Sequence, residues 1–268
     1  MALDVQERHA TADGLEVRWF EADGAAPVLY VHGVPNTGAQ WKPFLERAGG
    51  VAPDLPGFGA SAKPSNFGYS IEGYTAWLRT FAGQRGLDRF SLVVHDWGSA
   101  ALALAQSEPE RVEKLVVINS VPLLPGYAWH ALARQWRRPI LGELVMGFTT
   151  KFAARRLLAR GSENFPRAEV DEVWSHFDHG TQRAILKLYR SAPPEVLARA
   201  GENLGHVTAP VMIVWGENDP YIDTRFAQAY ADALGGEATV RTVPGAGHWP
   251  WHDEASLIDE VARFLAPG

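Results

Sequence analysis

Short apolar runs alternate with amphipathic segments along much of the chain. Runs typical of strands lie at residues 15–20, 26–31, 51–54, 90–94, 114–119, 210–215 and 238–243. Apolar spacing typical of helices marks residues 70–86, 98–106 and 255–264. This alternation predicts an α/β protein in which helices flank a mostly parallel central sheet.

The pattern changes between residues 121 and 207, which are rich in Arg and Trp and show helical spacing without a convincing strand. This stretch is too long for a loop within a compact domain. We therefore predict a core domain of residues 1–120 and 208–268, with residues 121–207 inserted as a helical cap. The cap is expected to lie over the strand ends, as a lid on any site there.

Composition excludes several classes of protein. The 268 residues include no cysteine, so disulfides, thiolate nucleophiles and cysteine metal sites are excluded. The net charge of -6 gives no electrostatic reason to expect nucleic acid as a partner. Because no apolar run is long enough to span a bilayer and the amino-terminal residues do not resemble a signal peptide, we expect a cytoplasmic protein without a membrane partner.

The segment of residues 92–100, LVVHDWGSA, runs from a predicted strand directly into a predicted helix. In so short a turn the central residue, Asp96, is strained and its side chain projects at the carboxyl edge of the sheet. Gly98, Ser99 and Ala100 provide the small side chains that close packing of helix on strand requires. A carboxylate nucleophile can displace at an sp³ carbon that bears a halide or a strained oxygen, and water then cleaves the ester. The alternative role for Asp96 is a helix N-cap, and packing is the expected role of Ser99.

Hydrolysis of such an ester requires a general base. His248 stands on a glycine-rich loop after the last predicted strand, and no other histidine has this setting. Asp219 follows the strand before it and is expected to orient the histidine, the alternative being an Asp-Pro turn residue. His95 is expected to point away into a structural hydrogen bond, and Asn119 offers no competing carboxylate at the preceding strand end.

An early strand ends in the loop HGVP, residues 32–35. The backbone amides of Val34 and Trp97 are expected to form an oxyanion hole for the intermediate that arises when water attacks the ester. The peptide bond before Pro35 is predicted to be cis, as tight turns at functional sites sometimes are.

The motifs HGVP, APDLPGFGASAKP, HDWGSA, WGENDP and GAGHWPW together resemble the epoxide hydrolase and haloalkane dehalogenase branch of the α/β-hydrolase superfamily. The resemblance covers nearly the whole chain, and nucleophile, acid and histidine follow in the order typical of that superfamily. It implies an α/β-hydrolase fold with a helical cap and an aspartate nucleophile. Val94, where the family often has glycine, departs from the pattern, and so does Val34 in the oxyanion loop.

The resemblance also suggests how an epoxide oxygen would be stabilised. Epoxide hydrolases supply two cap tyrosines, or in some relatives a histidine and one tyrosine. Tyr189 precedes an arginine as the family's second cap tyrosine does, and His130 lies in a Trp-His segment like that of the His/Tyr subgroup. We therefore expect His130 and Tyr189 to open the ring, with Trp97, Trp129 and Tyr189 contacting substrate. The alternative is that Tyr189 packs a cap helix and His130 lies on the surface.

A departing halide instead needs two N–H donors that retain their protons. Trp97 is one such donor in haloalkane dehalogenases, but their second donor is often an asparagine where Val34 stands. A cap tryptophan can substitute, and Trp129, Trp136 and Trp174 are available. Haloacetate dehalogenases also resemble the chain, although they usually place an arginine at the position of Trp97.

Epoxide hydrolysis is accordingly the predicted function, with dehalogenation of haloalkanes or haloacids as the alternative. A non-catalytic ligand-binding protein on the same scaffold is a third possibility, since fold alone does not define function. The predicted partners are a small apolar substrate and water, and neither a metal nor an organic cofactor is required. The oligomeric state is left open between monomer and homodimer.

Overall fold

The computed structural model describes residues 2–267, and eight strands within them form one sheet. The strands are β1 (Gln6–Ala12), β2 (Leu15–Ala22), β3 (Val28–Val31), β4 (Gly50–Pro53), β5 (Phe90–Asp96), β6 (Val112–Ser120), β7 (Val211–Gly216) and β8 (Ala238–Val243). Their order across the sheet is β1-β2-β4-β3-β5-β6-β7-β8. β1 and β2 form an antiparallel hairpin and β2 pairs antiparallel with β4, whereas every pairing from β4 to β8 is parallel. The predicted mostly parallel sheet is confirmed.

Helices cover both faces of this sheet. They are α1 (Lys42–Ala48), α2 (Ile71–Gln84), α3 (Ala101–Ser107), α10 (Arg225–Ala233), α11 (Pro250–Asp253) and α12 (Ser256–Leu265). Side chains of α2, α3 and α10 belong to one hydrophobic cluster, and those of α1 and α12 belong to a second. Because the central parallel strands are covered on both faces, they are buried along almost their whole length.

Residues 121–207, between β6 and β7, contain helices and no strand. The helices are α4 (Ala131–Trp136), α5 (Leu141–Gly147), α6 (Lys151–Gly161), α7 (Arg167–Ser175), α8 (His179–Ser191) and α9 (Pro194–Ala200). The predicted helical character of this stretch is therefore confirmed. We retain as a proposal the division into a core of residues 1–120 and 208–268 and a cap of residues 121–207.

Several element boundaries differ from the sequence-based expectations. The strand expected at residues 90–94 continues to Asp96, and the helix expected from residue 98 begins as a 3-10 turn, Trp97–Ala100. Strand β1 and helices α1 and α10 were not anticipated. β1 is polar and almost wholly exposed at the edge of the sheet, so no apolar alternation marks it. Its pairing with β2 defines it instead.

Candidate active site

The turn after β5 holds Asp96 in a strained conformation. Its φ is 50° and its ψ is -122°, a region that a non-glycine residue adopts only when the surrounding structure enforces it. Two glycines allow neighbouring segments of the chain to pack closely around this turn. A Cβ on Gly98 would lie 2.2 Å from the carbonyl oxygen of Val31, and one on Gly33 would lie 2.3 Å from the Cβ of Asp96. The Asp96 side chain consequently lines a cavity at the carboxyl edge of the sheet.

His248 joins the two carboxylates at this edge. It follows β8, and its Nδ1 lies 2.8 Å from Oδ2 of Asp219, which follows β7. Its Nε2 lies 3.5 Å from Oδ2 of Asp96. The three side chains, which the sequence separates by up to about 150 residues, thus form one contiguous arrangement of acid, imidazole and acid. Such an arrangement is the one that covalent catalysis requires, in which a base lies beside a nucleophile and a third group orients the base.

The electrostatics of this arrangement favour charged side chains. Burial by itself lowers the pKa of His248, but the neighbouring Asp219 and Asp96 carboxylates outweigh burial and raise this pKa to about 10. Burial would likewise raise the pKa of Asp96, but hydrogen bonding and charge from His248, with the amide of Val34, hold it below its usual value. At neutral pH, Asp96 is therefore an ionised carboxylate paired with an imidazolium.

Asn119 is a positioning residue that the sequence reasoning passed over. It is fully buried at the end of β6, where its Nδ2 donates to Oδ2 of Asp219 at 2.7 Å and its Oδ1 accepts from the amide of Gly216 at 3.0 Å. The other carboxylate oxygen of Asp219 accepts from the amides of Tyr221 and Ile222. Asp219 is thereby fixed in place. The available sequence signal was the position of Asn119 at the carboxyl end of a central strand.

His95, the residue before Asp96 on β5, supports the backbone of His248. Its Nε2 lies 2.9 Å from the carbonyl oxygen of His248. Burial lowers the pKa of His95 to about 3, so the ring is neutral and its Nε2–H donates this bond. The structural hydrogen bond expected for His95 is present. This bond fixes the backbone of His248, whose ring faces Asp96.

The loop after β3 brings a backbone amide to the carboxylate of Asp96. The amide of Val34 donates to Oδ1 of Asp96 at 2.7 Å. The peptide bond between Val34 and Pro35 is cis, as predicted. The loop is fixed by His32, whose Nε2 accepts from the amide of Leu55 at 3.0 Å. The amide of Trp97, the second expected donor, is the first of the 3-10 turn and so has no partner within the turn.

The side chains of residues 121–207 that we expected to contact substrate lie around one cavity with Asp96. His130, Tyr189 and Trp129 line this cavity together with Asp96 and His248. The Trp97 ring is not among the lining side chains. It stacks on Trp129 with ring centroids 5.3 Å apart, and Tyr189 meets it edge-on at 5.1 Å. The structure therefore brings His130 and Tyr189 to the same cavity as Asp96, whereas the Trp97 ring packs against Trp129 and does not line the cavity.

The protonation of His130 follows from its surroundings. Its Nδ1 accepts from the amide of Ala133 at 3.4 Å, which caps helix α4. Burial lowers the pKa of His130 to about 4, so the ring is neutral at pH 7. With Nδ1 as acceptor, the single ring proton lies on Nε2. This residue is therefore a neutral N–H donor on the cavity wall.

The tyrosines of the cavity remain protonated at neutral pH. Burial raises the pKa of Tyr189 well above its usual value, and burial together with Asp96 does the same for Tyr127. Tyr127 is a further lining residue that the sequence reasoning did not select, and its buried hydroxyl has no hydrogen-bond partner within residues 2–267. Tyr221 also lines the cavity, but its hydroxyl donates to a backbone carbonyl. Protonated hydroxyls can serve as donors to a substrate oxygen.

The three cap tryptophans differ in what their indole N–H groups contact. Nε1 of Trp129 donates to the carbonyl of Ala192 at 2.9 Å and is therefore committed to the fold. Nε1 of Trp136 is buried without a partner among the described residues, and its ring lines the cavity. Trp174 lines a neighbouring cavity instead. Of the three, Trp136 combines a ring on the wall of the Asp96 cavity with an indole N–H that has no partner among the described residues.

Two adjoining cavities provide the space for a ligand. The one at Asp96 measures about 40 Å³, enough for a few water-sized groups. The second measures about 340 Å³ and shares part of its wall with the first through Pro35, Leu132 and Trp136. Aliphatic and aromatic side chains of the segment between β6 and β7 dominate its lining. Among residues 2–267, no cluster of three or more His, Asp or Glu side chains is arranged to hold a metal ion.

Comparison with known proteins agrees with this architecture. The sequence profile of the alpha/beta hydrolase family matches residues 28–262. A haloalkane dehalogenase from Mycolicibacterium paratuberculosis is 30% identical over 246 residues, which cover 84% of this chain and 74% of the relative. Epoxide hydrolase 1 from Caenorhabditis elegans is 25% identical over 271 residues, covering 91% of this chain and 66% of the relative. The structure of the haloalkane dehalogenase DbeA from Bradyrhizobium elkani has a similar fold, with a TM-score of 0.84 at 22% identity and 98% coverage of both chains.

The chain therefore belongs to the alpha/beta hydrolase family, since the family profile covers most of its length. Within that family it is a hydrolase of the branch that contains epoxide hydrolases and haloalkane dehalogenases. The expected fold class and family resemblance are confirmed. Because relatives with both activities are similar to the chain, the choice between the two reactions depends on the side chains around the cavity.

Proposed function

We propose that this protein opens an epoxide of a small apolar molecule to a vicinal diol through a covalent ester on Asp96. The observation that carries the proposal is the cavity lining. Two residues with proton-bearing groups, His130 and Tyr189, line one small cavity together with Asp96 and His248. Ring opening needs donors for the epoxide oxygen on one side of the substrate and a nucleophile on the other.

In the first step an ionised oxygen of Asp96 attacks an epoxide carbon, and the bond from that carbon to the ring oxygen breaks. His130 and Tyr189 donate hydrogen bonds to this oxygen while it gains negative charge. Through solvent, the oxygen then takes up the proton that His248 releases once Asp96 is esterified, and it becomes the first hydroxyl of the product. The low pKa of Asp96 supports this role, because the nucleophile must be ionised.

The second step hydrolyses the ester. Esterification neutralises Asp96, which removes one of the two carboxylates that raise the pKa of His248. His248 can then release its proton and accept one from water, which attacks the ester carbonyl carbon. The amides of Val34 and Trp97 stabilise the oxyanion on the Asp96 carbonyl. Collapse of this intermediate releases the diol and regenerates the carboxylate, while Asp219 orients the histidine throughout.

Dehalogenation of a haloalkane is the second candidate. The observation that favours it is the indole N–H of Trp136, which is buried, has no partner among the described residues and belongs to a ring on the cavity wall. A halide leaving group requires such a donor. A second would have to come from Trp97, whose Nε1 also lacks a partner but whose ring does not line the cavity.

A paired assay separates the two reactions. Purified protein is given styrene oxide and, separately, 1-bromobutane, and release of diol and bromide is followed. Diol release that falls at least a hundred-fold in Tyr189→Phe and His130→Ala, but little in Trp136→Phe, would support the epoxide hydrolase, since general acid-type assistance contributes about 10²–10⁴-fold. Bromide release that depends on Trp136, without diol, would refute it and favour the dehalogenase.

The covalent intermediate can be tested directly by intact-protein mass spectrometry. His248→Gln is expected to accumulate an ester whose mass equals enzyme plus epoxide, because the base is missing. Asp96→Ala is expected to show neither the adduct nor a burst of product. A His248→Gln enzyme that turned over at the wild-type rate would contradict the assignment of the base. Failure to trap an ester with every epoxide and halide would favour the non-catalytic alternative.

A further inference from the structure

All five large hydrophobic side chains that are exposed on the described surface lie within thirteen consecutive residues. They form the apolar patch, which consists of Ile140, Leu141, Leu144, Phe148 and Phe152. Leu144 lies within α5, and Ile140 and Phe148 adjoin its two ends as N-cap and C-cap. The backbone amides of Leu144 and Phe148 donate to the carbonyls of Ile140 and Leu144, so the three residues follow one another along this helix. Phe148 and Phe152 are 81% and 67% exposed. Exposed apolar groups of this size mark an interaction surface when they are contiguous.

Ile140 adds an independent observation about this patch. Its φ is 70°, in the left-handed region that is costly for a β-branched residue, and its side chain is 75% exposed. Burial in the core cannot explain this conformation, because the side chain has almost no core contact. Backbone strain of this kind is enriched at functional positions, which is consistent with a role for this surface.

The segment that carries the apolar patch is strongly basic although the whole chain is acidic. Residues 131–161 carry seven Lys or Arg side chains and one Glu, within a chain of net charge -6. The single Glu143 is paired with Arg190, and Lys151 with Asp171. The arginine group comprises the exposed arginines of this segment that have no carboxylate partner within residues 2–267: Arg134, Arg138, Arg155, Arg156 and Arg160.

We propose that the apolar patch and the arginine group dock this protein peripherally on an anionic lipid bilayer. No helix within residues 2–267 is long and apolar enough to cross a membrane, so the contact would be confined to the bilayer surface. Basic side chains attract anionic headgroups, and neighbouring Phe and Leu side chains insert at the boundary of headgroups and acyl chains. Nucleic acid would match the arginines but would leave the aliphatic side chains without a complementary partner.

A second copy of the chain fits this surface poorly. A two-fold contact through the apolar patch would bring the arginine group of one copy against the same group of the other. Like charges opposed across an interface disfavour association. An anionic bilayer complements both the charge and the apolar side chains.

The larger of the two cavities connects this docking to the proposed reaction. Phe148, the most exposed member of the patch, also lines the apolar cavity of about 340 Å³ that adjoins the nucleophile cavity. An apolar substrate partitions into lipid, so docking here would bring this cavity close to the lipid in which the substrate is dissolved. This last step rests on the proposed function, whereas the docking itself rests only on the exposed side chains and their charge.

Vesicle co-sedimentation without substrate tests the docking separately from the reaction. The wild-type protein is mixed with vesicles of equimolar phosphatidylcholine and phosphatidylserine, or of phosphatidylcholine alone. We expect binding to the anionic vesicles that weakens steeply with added salt, and much weaker binding to the neutral ones. A wild-type protein that stays in the supernatant with anionic vesicles at low salt would overturn the proposal, even if epoxide hydrolysis is found.

Two double variants assign the binding to this surface. Arg155→Glu with Arg156→Glu should weaken binding more than twenty-fold, since each lost cation accounts for about five-fold. Leu144→Ser with Phe152→Ser should weaken it at least ten-fold. The matched control reverses two exposed arginines outside residues 131–161, Arg89→Glu with Arg263→Glu, which changes net charge equally and should leave most of the binding.

Circular dichroism and thermal unfolding of each variant establish that it is folded, which is expected because all of the replaced side chains are exposed. Equal loss of binding in the control variant would mean that overall charge is responsible, and would overturn the assignment. So would a wild-type dimer in sedimentation equilibrium that Leu144→Ser with Phe152→Ser converts to monomer. In that case a second copy, and not lipid, would occupy the patch.

Discussion

Replacement of Asn119 by alanine would remove the side chain that holds Asp219. The fully buried Asn119 donates to Oδ2 of Asp219 at 2.7 Å and accepts from the amide of Gly216 at 3.0 Å. A hydrogen bond to a charged group contributes about 1.5–3 kcal/mol and a neutral one about 0.5–1.5 kcal/mol. We therefore expect Asn119→Ala to lower the free energy of unfolding by about 2–4 kcal/mol from these bonds.

The backbone adds a second contribution. Asn119 has a φ of 36°, in the left-handed region, which asparagine tolerates better than alanine does. Asn119→Gly loses the same two hydrogen bonds but accommodates this φ without strain. It should therefore be more stable than Asn119→Ala by about 1 kcal/mol, which separates the backbone contribution from that of the hydrogen bonds.

Two measurements test this reasoning. Urea unfolding gives the stability change, and rapid-quench mass spectrometry gives the rates of ester formation and ester decay. Because Asn119 contacts Asp219 and not Asp96, we expect ester decay to slow at least ten-fold and ester formation to change less. Asn218→Ala is the matched control. The Asn218 side chain makes one exposed hydrogen bond of 3.3 Å, so its loss should change stability by less than about 0.5 kcal/mol.

A role for Asn119 in holding Asp219 would be refuted if Asn119→Ala unfolded within about 0.5 kcal/mol of the wild type, since measured surface effects are of that size. It would also be refuted if ester formation and ester decay slowed by the same factor. The first outcome would mean that water replaces the lost partners of Asp219. The second would mean that Asn119 acts on the whole site and not on the acid that orients His248.

Two further predictions concern packing and pH. Gly98→Ala should destabilise the protein by about 1–3 kcal/mol in the same urea assay, because the new Cβ would lie 2.2 Å from the carbonyl oxygen of Val31. Gly83→Ala on helix α2 is the control. Its new Cβ would meet nothing within 4 Å, so it should stabilise the protein by about 0.5–1 kcal/mol. Ester decay should accelerate as pH rises, with a midpoint below the pKa of about 10 of His248 in the free enzyme, since esterified Asp96 no longer raises that pKa. Rapid-quench measurement of ester decay checks this, and a rate independent of pH from mildly acidic to mildly alkaline solution would exclude His248 as the base.

The net charge of the chain concealed an important feature of its surface. The value of -6 gave no reason to expect nucleic acid as a partner, yet residues 131–161 are strongly basic. Sequence alone places those cations in one segment. The structure adds that five of the arginines are exposed and without carboxylate partners among the described residues, and that the exposed apolar side chains lie in the same segment. Charge acts through its local distribution, which a sum over the chain does not describe.

The central strands and the nucleophile turn could be predicted from sequence because their determinants are local. A buried parallel strand is a short apolar run, and a strand-turn-helix with small residues after Asp96 has few other conformations. For the same reason, the order of the strand ends indicated that Asp219 and His248 would meet Asp96 at one edge of the sheet. Their separations of 2.8 and 3.5 Å agree with that expectation, while their catalytic roles remain predictions.

Tertiary structure decided which side chains are free to act. The sequence offered both Trp97 and Trp129 as N–H donors to a leaving halide. In the structure the Trp97 ring stacks on Trp129 and does not line the cavity, and Nε1 of Trp129 donates to the carbonyl of Ala192. The sequence predicted no catalytic role for Asn119 at its strand end, whereas in the structure its side chain donates to Asp219. Hydrogen-bond partners and cavity walls come from residues far apart in the chain. Local pattern specifies an element, but only packing between elements determines what each side chain touches.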